Sequence, residues 1–387
     1  MAERIGSPRD AASTLFNLPG YRVIAVGEEP SAGRWVDLEI DGEPRCSGCG
    51  VIGVRVHSSR SQRIGDIPVG GEVSAIWRKR RWFCDNTACR RRTFSEATAQ
   101  VPAYARSTGR LREALVAAVT TSGRAASEVA AAFSVSWWLV QTTLTAAAAL
   151  ISDVDTMLVR HIGIDEHRFR RVRYFRLPTG AWRERIEVVA IDPSAAFAKA
   201  IRTNLPAAAI SVDAFHLVRL ANDTLTAVRQ RLSHHNNGRR GRSADPSWAN
   251  RRLLLRGADT LSAGGWTRLK ATFATDDPTG ELAATWGVKE QLRRLLACTS
   301  LTDAHQEKMR LGHYVQVADM TETDRLWNTL CRWWPAIEVL LITGVTNAKT
   351  EAANTSIKNI KRTARGFRNE HHYTARILLT SAARSAA

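Results

Sequence analysis

Four cysteines in two close pairs, Cys46-x-x-Cys49 and Cys84-x-x-x-x-Cys89, constrain the first quarter of this 387-residue chain more than any other feature. Two thiolate pairs at knuckle spacing supply four soft ligands to one tetrahedral ion, and zinc is the ion such a set selects. The 34 residues between Cys49 and Cys84 hold enough chain for the strands of a ribbon. A redox pair would begin a helix after a strand, and neither pair is so placed, so structural zinc is the reading. His57 is a substitute ligand or, more simply, a surface residue. Cys298 and Cys331 stand alone in apolar, helix-like surroundings and read as core packing in a reducing compartment.

Cations crowd the second pair. Arg78, Lys79, Arg80 and Arg81 precede it and Arg90, Arg91 and Arg92 follow, interleaved with Trp77, Trp82 and Phe83. Across the chain 55 Lys and Arg face 37 Asp and Glu, a formal charge of +18, so the field favours a polyanion over a neutral metabolite. Such density around a rigid knuckle reads as a phosphate-tracking surface; the competing reading is a solvated charge run. No apolar stretch approaches the ~20 residues of a bilayer span, and the N-terminus lacks a signal-peptide pattern. The expectation is a cytoplasmic, nucleoid-associated protein with double-stranded DNA, not membrane, as its partner.

Residues 21–26 and 34–40 read as two short strands leading into Cys46. Residues 107–150 turn alanine-rich and helix-periodic. Within them, helices over 107–121, 125–133 and 137–147 are expected, with Ser134, Val135 and Ser136 as a tight connection and Ser136 capping the third helix. Ser136, Gln141 and Thr142 near the start of that helix fit major-groove recognition, although any alanine-rich three-helix bundle would look similar.

A switch to strands follows at His161. IGID ends in Asp165, IEVVAID in Asp192 and AAISVD in Asp213, the last two separated by a helical stretch, which is a strand–helix–strand unit of parallel type. If the first two strands are parallel neighbours, Asp165 and Asp192 meet at one sheet edge. Glu351 on a later helix could complete a pocket for two divalent ions ~3.5–4 Å apart, the arrangement that serves phosphoryl transfer. Hard oxygen ligands select magnesium or manganese. Asp213, two strand spacings or ~10 Å from Asp165, is too distant to share the pair. Asp213 and His216 either position a phosphate and brace the site, or His216 merely caps or packs. Glu351, Asn354 or Thr355, Lys358, Arg362 and Arg365 recur at three- and four-residue steps, which gives a carboxylate with cations behind it for the DNA backbone, or else a solvated basic helix. Residues 217–345 carry leucine, arginine and tryptophan at helical spacing and read as a large helical insertion. The end after Arg368 fits a short strand or a helix.

The segments CSGCG, RRWFCDNTACRRRTF, GIDEHRFR, VVAIDPSAAF, SVDAFHLVRLAND, GRRGRSADPSWANRRLLL and TEAANTSIKNIKRTARGFRN resemble bacterial insertion-sequence transposases of the ISL-three family over almost the whole chain. The resemblance implies an α/β multidomain protein. Its parts would be a zinc ribbon with N-terminal strands over 1–103, a helix-turn-helix over 104–155, the first part of a ribonuclease H-like DDE core over 156–220, a helical insertion over 221–345, and the core's C-terminal helix over 346–387. It further implies that Asp165, Asp192 and Glu351 match the catalytic triad, that Asp213 and His216 match the motif after the second aspartate, and that Lys358 matches the basic residue seven positions after the glutamate. A homo-oligomer follows, since two DNA ends must be held. One departure stands out. Only 26 residues separate Asp165 from Asp192, where the family's core places two further strands and a helix. That interval leaves room for a hairpin extension or a bare crossover, and it raises an alternative: a shortened, inactive copy that acts as a DNA-binding remnant or regulator. An RNA-binding zinc-ribbon protein is weaker, because it leaves the acidic triad unexplained.

Overall fold

The computed structural model describes residues 10–29, 33–151, 156–165 and 180–385. They form two compact units, residues 1–151 with 357–387 and residues 152–356.

The first unit opens with α1 (Ala11–Phe16), started by Asp10, whose carboxylate accepts the Ser13 N–H at 2.8 Å. Five strands follow: β1 (Tyr21–Glu29), β2 (Gly33–Ile40), β3 (Val56–Ile64), β4 (Val73–Phe83) and β5 (Thr93–Ser95). The order is β1-β2-β4-β3 with β5 against β4, and β2–β4 is its one parallel pairing among the described residues. The two expected N-terminal strands are β1 and β2. Trp77 is fully buried with Leu18, Tyr21 and Leu38, and Tyr21 meets its indole edge-on at 5.4 Å.

Three helices come next: α2 (Gly109–Thr120), α3 (Ala126–Ala132) and α4 (Trp137–Ala148). Ser136 caps α4 as its position predicts, accepting the Leu139 N–H at 3.1 Å, and Ser134 turns the chain at a left-handed φ of 51°. Leu111, Leu115, Val119, Val129, Val140 and Leu144 form the shared core.

In the second unit β6 (His161–Ile164), β7 (Val188–Ile191) and β8 (Ala209–Val212) form a parallel sheet in the order β6-β7-β8. Between them lie α5 (Gly180–Glu184) and α6 (Ala195–Asn204). The strand–helix–strand unit is therefore as read from the alternating apolar runs. Of the short interval between Asp165 and Asp192, residues 166–179 lie outside the described residues. The hairpin extension or bare crossover expected there falls on those residues; α5, the one-turn helix that follows, buries Trp182.

Residues 214–343 are helical as expected. They form α7 (Ala214–Asn237), α8 (Pro246–Ala249), α9 (Arg251–Leu255), a 3-10 turn at Ala258–Thr260, α10 (Ala263–Asp276), α11 (Glu281–Leu296), α12 (Leu301–Ala318) and α13 (Thr321–Thr343). Val288, Leu292, Leu311, Leu326, Leu330 and Ile337 close their core around Leu217 of α7. The cysteine reading divides here. Cys298 is half-buried and packs against this core, whereas Cys331 is exposed, because α13 turns Leu326, Leu330, Trp334 and Ile337 inward and leaves the residue after Leu330 off that stripe. Two helices finish the chain, α14 (Ala348–Thr363) and α15 (Glu370–Ser385), so the end after Arg368 is a helix. α15 adds Leu379 to the core of α2, α3 and α4. No helix among the described residues is long and apolar enough to cross a membrane.

Candidate active site and metal centres

Strand register places the carboxylates. Ile164 pairs with Ile191 and Ile191 with Val212, so Asp165, Asp192 and Asp213 each follow the last residue of a strand at one edge of the sheet. Asp213 is committed elsewhere: it is 3% exposed, and its Oδ1 accepts the Phe215 N–H at 2.9 Å to cap α7. One turn into α7, His216 reaches back to the edge. Its Nε2 lies 3.2 Å from Asp192 Oδ2, and its Nδ1 lies 3.7 Å from Glu351 Oε1. One ligand atom each of Asp192, His216 and Glu351 falls within 4.8 Å of the other two.

Asp165 joins through α14. Asn354 Nδ2 donates to Asp165 Oδ2 at 2.6 Å, and Asn347 Nδ2 reaches both Asp192 Oδ1 and the Ile164 carbonyl at 3.4 Å. Gly163 makes that approach possible: a Cβ there would collide with Thr350 Oγ1 and Asn347 Oδ1 and lie 3.1 Å from Thr350 Cβ. Ser211 Oγ donates to the Val345 carbonyl at 2.7 Å and ties the segment before α14 to β8.

The electrostatics of this edge favour a cation. Burial pushes the Asp192 carboxyl above the ordinary carboxylate range and the charges of Asp165 and Asp213 add to the rise, while His216 and the Asn347 hydrogen bond oppose it. Asp213 Oδ2, His216 Nδ1 and Asn347 Oδ1 are buried without a hydrogen bond among the described residues. Buried donors and acceptors rarely stay unpaired, and a set rich in carboxylate oxygens fits a hard divalent ion.

The four cysteines form a second centre. Cys46 Sγ lies 4.0 Å from Cys89 Sγ, and Cys49 Sγ lies 3.5 Å from Cys84 Sγ. Four bonds of ~2.3 Å to a tetrahedral zinc would separate the sulfurs by about 3.8 Å, so the cluster has the size of a zinc shell. In each knuckle the N–H two residues on points at sulfur, Gly48 to Cys46 at 3.5 Å and Arg91 to Cys89 at 3.4 Å. Burial pushes the Cys46 thiol up, but the N–H groups of Gly48 and Cys49 and the neighbouring thiols outweigh it and bring Cys46 down to about 7. The Asn86 N–H draws Cys84 down, yet burial and the other three thiols push it up to about 12. Four thiols crowded into one shell oppose one another's ionisation, and a cation would relieve the crowding. His57 is exposed, beside Ser58 Oγ at 3.1 Å and outside this cluster.

Residues 147–377 match the family model of the DDE transposase of ISL3 type, and residues 42–89 match the zinc-finger of transposases IS204/IS1001/IS1096/IS1165. The chain belongs to the ISL3 transposase family. It is 25% identical over 410 residues to the transposase for insertion sequence element IS1001 of Bordetella parapertussis, covering 95% of this chain and 97% of that relative. The family is thus a DDE transposase family with a zinc ribbon.

Within this ISL3 transposase the expected DNA-contacting residues divide. Arg81, Arg90, Arg91, Arg92, Ser136, Thr142, Lys358 and Arg362 are exposed. Arg78 is exposed beside Asp37 at 3.7 Å and Glu39 at 3.9 Å. Three do not fit an outer phosphate- or base-reading surface, and Arg365 is exposed but off the α14 stripe. Lys79 is 5% exposed, because β4 turns Ala75, Trp77 and Lys79 to its buried face and lays the ammonium 4.3 Å from the Trp77 ring. Arg80 spends its charge on Glu96 at 2.9 Å. Gln141 is buried beside Val140, Thr143 and Leu144 on the core side of α4. Arg365 leaves the stripe of Lys358 and Arg362, because α14 ends at Thr363, and Arg365 takes a φ of 58° and pairs with Glu128 at 3.0 Å.

Some contributors escaped sequence reasoning. Gly163 and Asn347 gave no signal beyond a glycine inside a short strand and an asparagine before a helix. Asn354 was legible as a neighbour of Glu351 but not as the partner of Asp165. Trp137 and Trp138 stand exposed at the start of α4 beside His372.

Proposed function

We propose that this ISL3 transposase binds the terminal inverted repeats of its element, hydrolyses a phosphodiester there and joins the 3′-hydroxyl to target DNA, with Asp165, Asp192 and Glu351 as the catalytic carboxylates. The reading rests on one observation above the rest: two register-matched strand ends and α14 converge, so that Asp192 and Glu351 flank His216 while Asn354 holds Asp165.

Magnesium or manganese ions, when bound, would supply the charge that activates the attacking hydroxyl and stabilises the leaving oxygen. The chain's own residues do the positioning. Asn354 fixes the rotamer of Asp165, and His216 and Asn347 fix Asp192. Asp213 caps α7 and thereby aims His216. Lys358, two turns beyond Glu351 and exposed, is suited to a backbone phosphate. The three parallel strands fit a ribonuclease H-like core into which α7 through α13 are inserted. The cysteines hold structural zinc, and the α3–α4 pair serves as a helix-turn-helix with Ser136 and Thr142 toward DNA. Holding two ends requires at least two copies of the chain.

The short interval between Asp165 and Asp192 favours a second reading, a DNA-binding remnant without catalysis. A cleavage and joining assay on the flanking terminal repeat with magnesium or manganese, beside Asp165→Ala, separates the two. Metal-dependent products that vanish in the variant support the transposase; specific binding without products supports the remnant.

A further inference from the structure

A cavity of about 690 Å³ opens between β3, β4, β5 and the segment after them, and six cations line it: Arg60, Arg63, Lys79, Arg81, Arg91 and Arg106. Glu96 is the single acid in the lining, and it is already bound by Arg80 and by Trp82 Nε1 at 3.0 Å. Arg63 and Arg81 rest on the neutral hydroxyls of Ser74 and Thr93. Among the described residues none of the six has an ion-pair partner.

Two features show that this charge is built in. Arg60 and Lys79 stand directly opposite each other across β3 and β4, a like-charge pairing that destabilises a sheet unless an anion offsets it. Lys79 is 5% exposed, and burial followed by the Arg60 charge holds its ammonium below the ordinary lysine range. The metal knuckles reach the same space. Ser47 lines it, and the Arg91 stem lies so close over Gly48 that a Cβ there would be 3.2 Å from Arg91 Cδ.

Tyr104 lines the cavity too. It is 100% exposed and held at a φ of 67°, a backbone state that costs a tyrosine free energy and gives its ring no protein neighbour to offset it. A bare aromatic face beside phosphate-binding cations is the pairing used to seat nucleic acid whose bases are unstacked.

We propose that this cavity binds a single-stranded DNA segment, with the cations on its phosphates and Tyr104 stacked on one unpaired base. In intact duplex both faces of an internal base are covered, so the site selects an unpaired strand next to the duplex. The inference rests on the reading that this unit binds DNA.

The test compares the full-length protein's affinity for a blunt duplex and for the same duplex carrying a short thymidine tail, by fluorescence anisotropy at fixed salt. Wild type should prefer the tailed DNA by about tenfold, the worth of one stacked base. Tyr104→Gly should lose that preference and keep blunt-duplex affinity; glycine suits the positive φ, so the loss cannot come from unfolding. Tyr104→Phe should retain it. Arg60→Gln should weaken tailed binding and lower the salt slope by about one. Equal wild-type affinities, or a preference that survives in Tyr104→Gly, would overturn the inference and leave duplex binding standing. Failure to bind either DNA would overturn the DNA-binding reading and this site with it.

Discussion

Asn354 Nδ2 donates to Asp165 Oδ2 across 2.6 Å, and Asn354 sits one turn beyond Glu351, so a single turn of α14 delivers both a carboxylate and a hydrogen bond to the edge of the parallel sheet. Groups that orient a metal ligand are commonly worth 10- to 100-fold. Asn354→Ala should therefore slow metal-dependent cleavage about 10- to 100-fold and raise the metal concentration needed, with DNA affinity unchanged. Titrating cleavage rate against manganese reads both effects, and an unaltered titration would separate this hydrogen bond from function.

Gly163→Ala tests the same junction from the strand side. The added methyl meets Thr350 and Asn347, and Thr350 is β-branched and cannot simply swing away. Overpacking of this kind costs about 1–3 kcal/mol. Cleavage should fall sharply while thermal unfolding shifts only by the few degrees that such a cost implies; full activity would mean that α14 need not approach β6 so closely.

These two residues also mark the limit of what the chain reveals before it is folded. The parallel strands were legible because short apolar runs each end in aspartate, and the cap on α4 because Ser136 precedes an apolar helix. The basic run was legible as charge but not as surface. A strand alternates its faces, so Lys79 went inward and Arg80 met Glu96, an acid more than a dozen positions away in sequence. Gln141 is polar yet sits on the core side of α4, which no local pattern distinguished. The convergence of Asn347, Asn354 and Gly163 depends on contacts across nearly 200 positions of chain, and side-chain periodicity carries no such information.

The loop between α7 and α8 gives a pH test. Asp245 accepts two hydrogen bonds from Arg239, at 2.7 and 2.9 Å, and one from the Arg242 N–H at 2.7 Å, and these hold its carboxyl down to about 2. A depressed carboxylate stabilises the fold fully above its ordinary pKa and loses that contribution as pH falls through the depressed value. Pepsin should therefore spare this loop at about pH 4 and nick it increasingly toward about pH 2. Asp245→Asn should be nicked across the whole range. Equal protection of the two proteins at about pH 4 would show that the arginine contacts do not order the loop.

Zinc removal should act on the first unit. The purified chain should carry ~1 zinc, and Cys84→Ser or a strong chelator should remove it. Trp82 and Phe94 share their core with Cys46 and Cys84, so metal loss should expose the Trp82 indole and weaken DNA binding together. Metal analysis beside a shift assay checks this. A metal-free chain that binds DNA normally would contradict a structural role for the cysteines.

The most direct test of the acidic centre is electron paramagnetic resonance of manganese bound to the protein–DNA complex, with Glu351→Gln as the control. A two-ion site formed by Asp165, Asp192 and Glu351 predicts two magnetically coupled manganese ions per chain, and loss of that coupling in the variant. A single isolated ion in both proteins, or none, would contradict it.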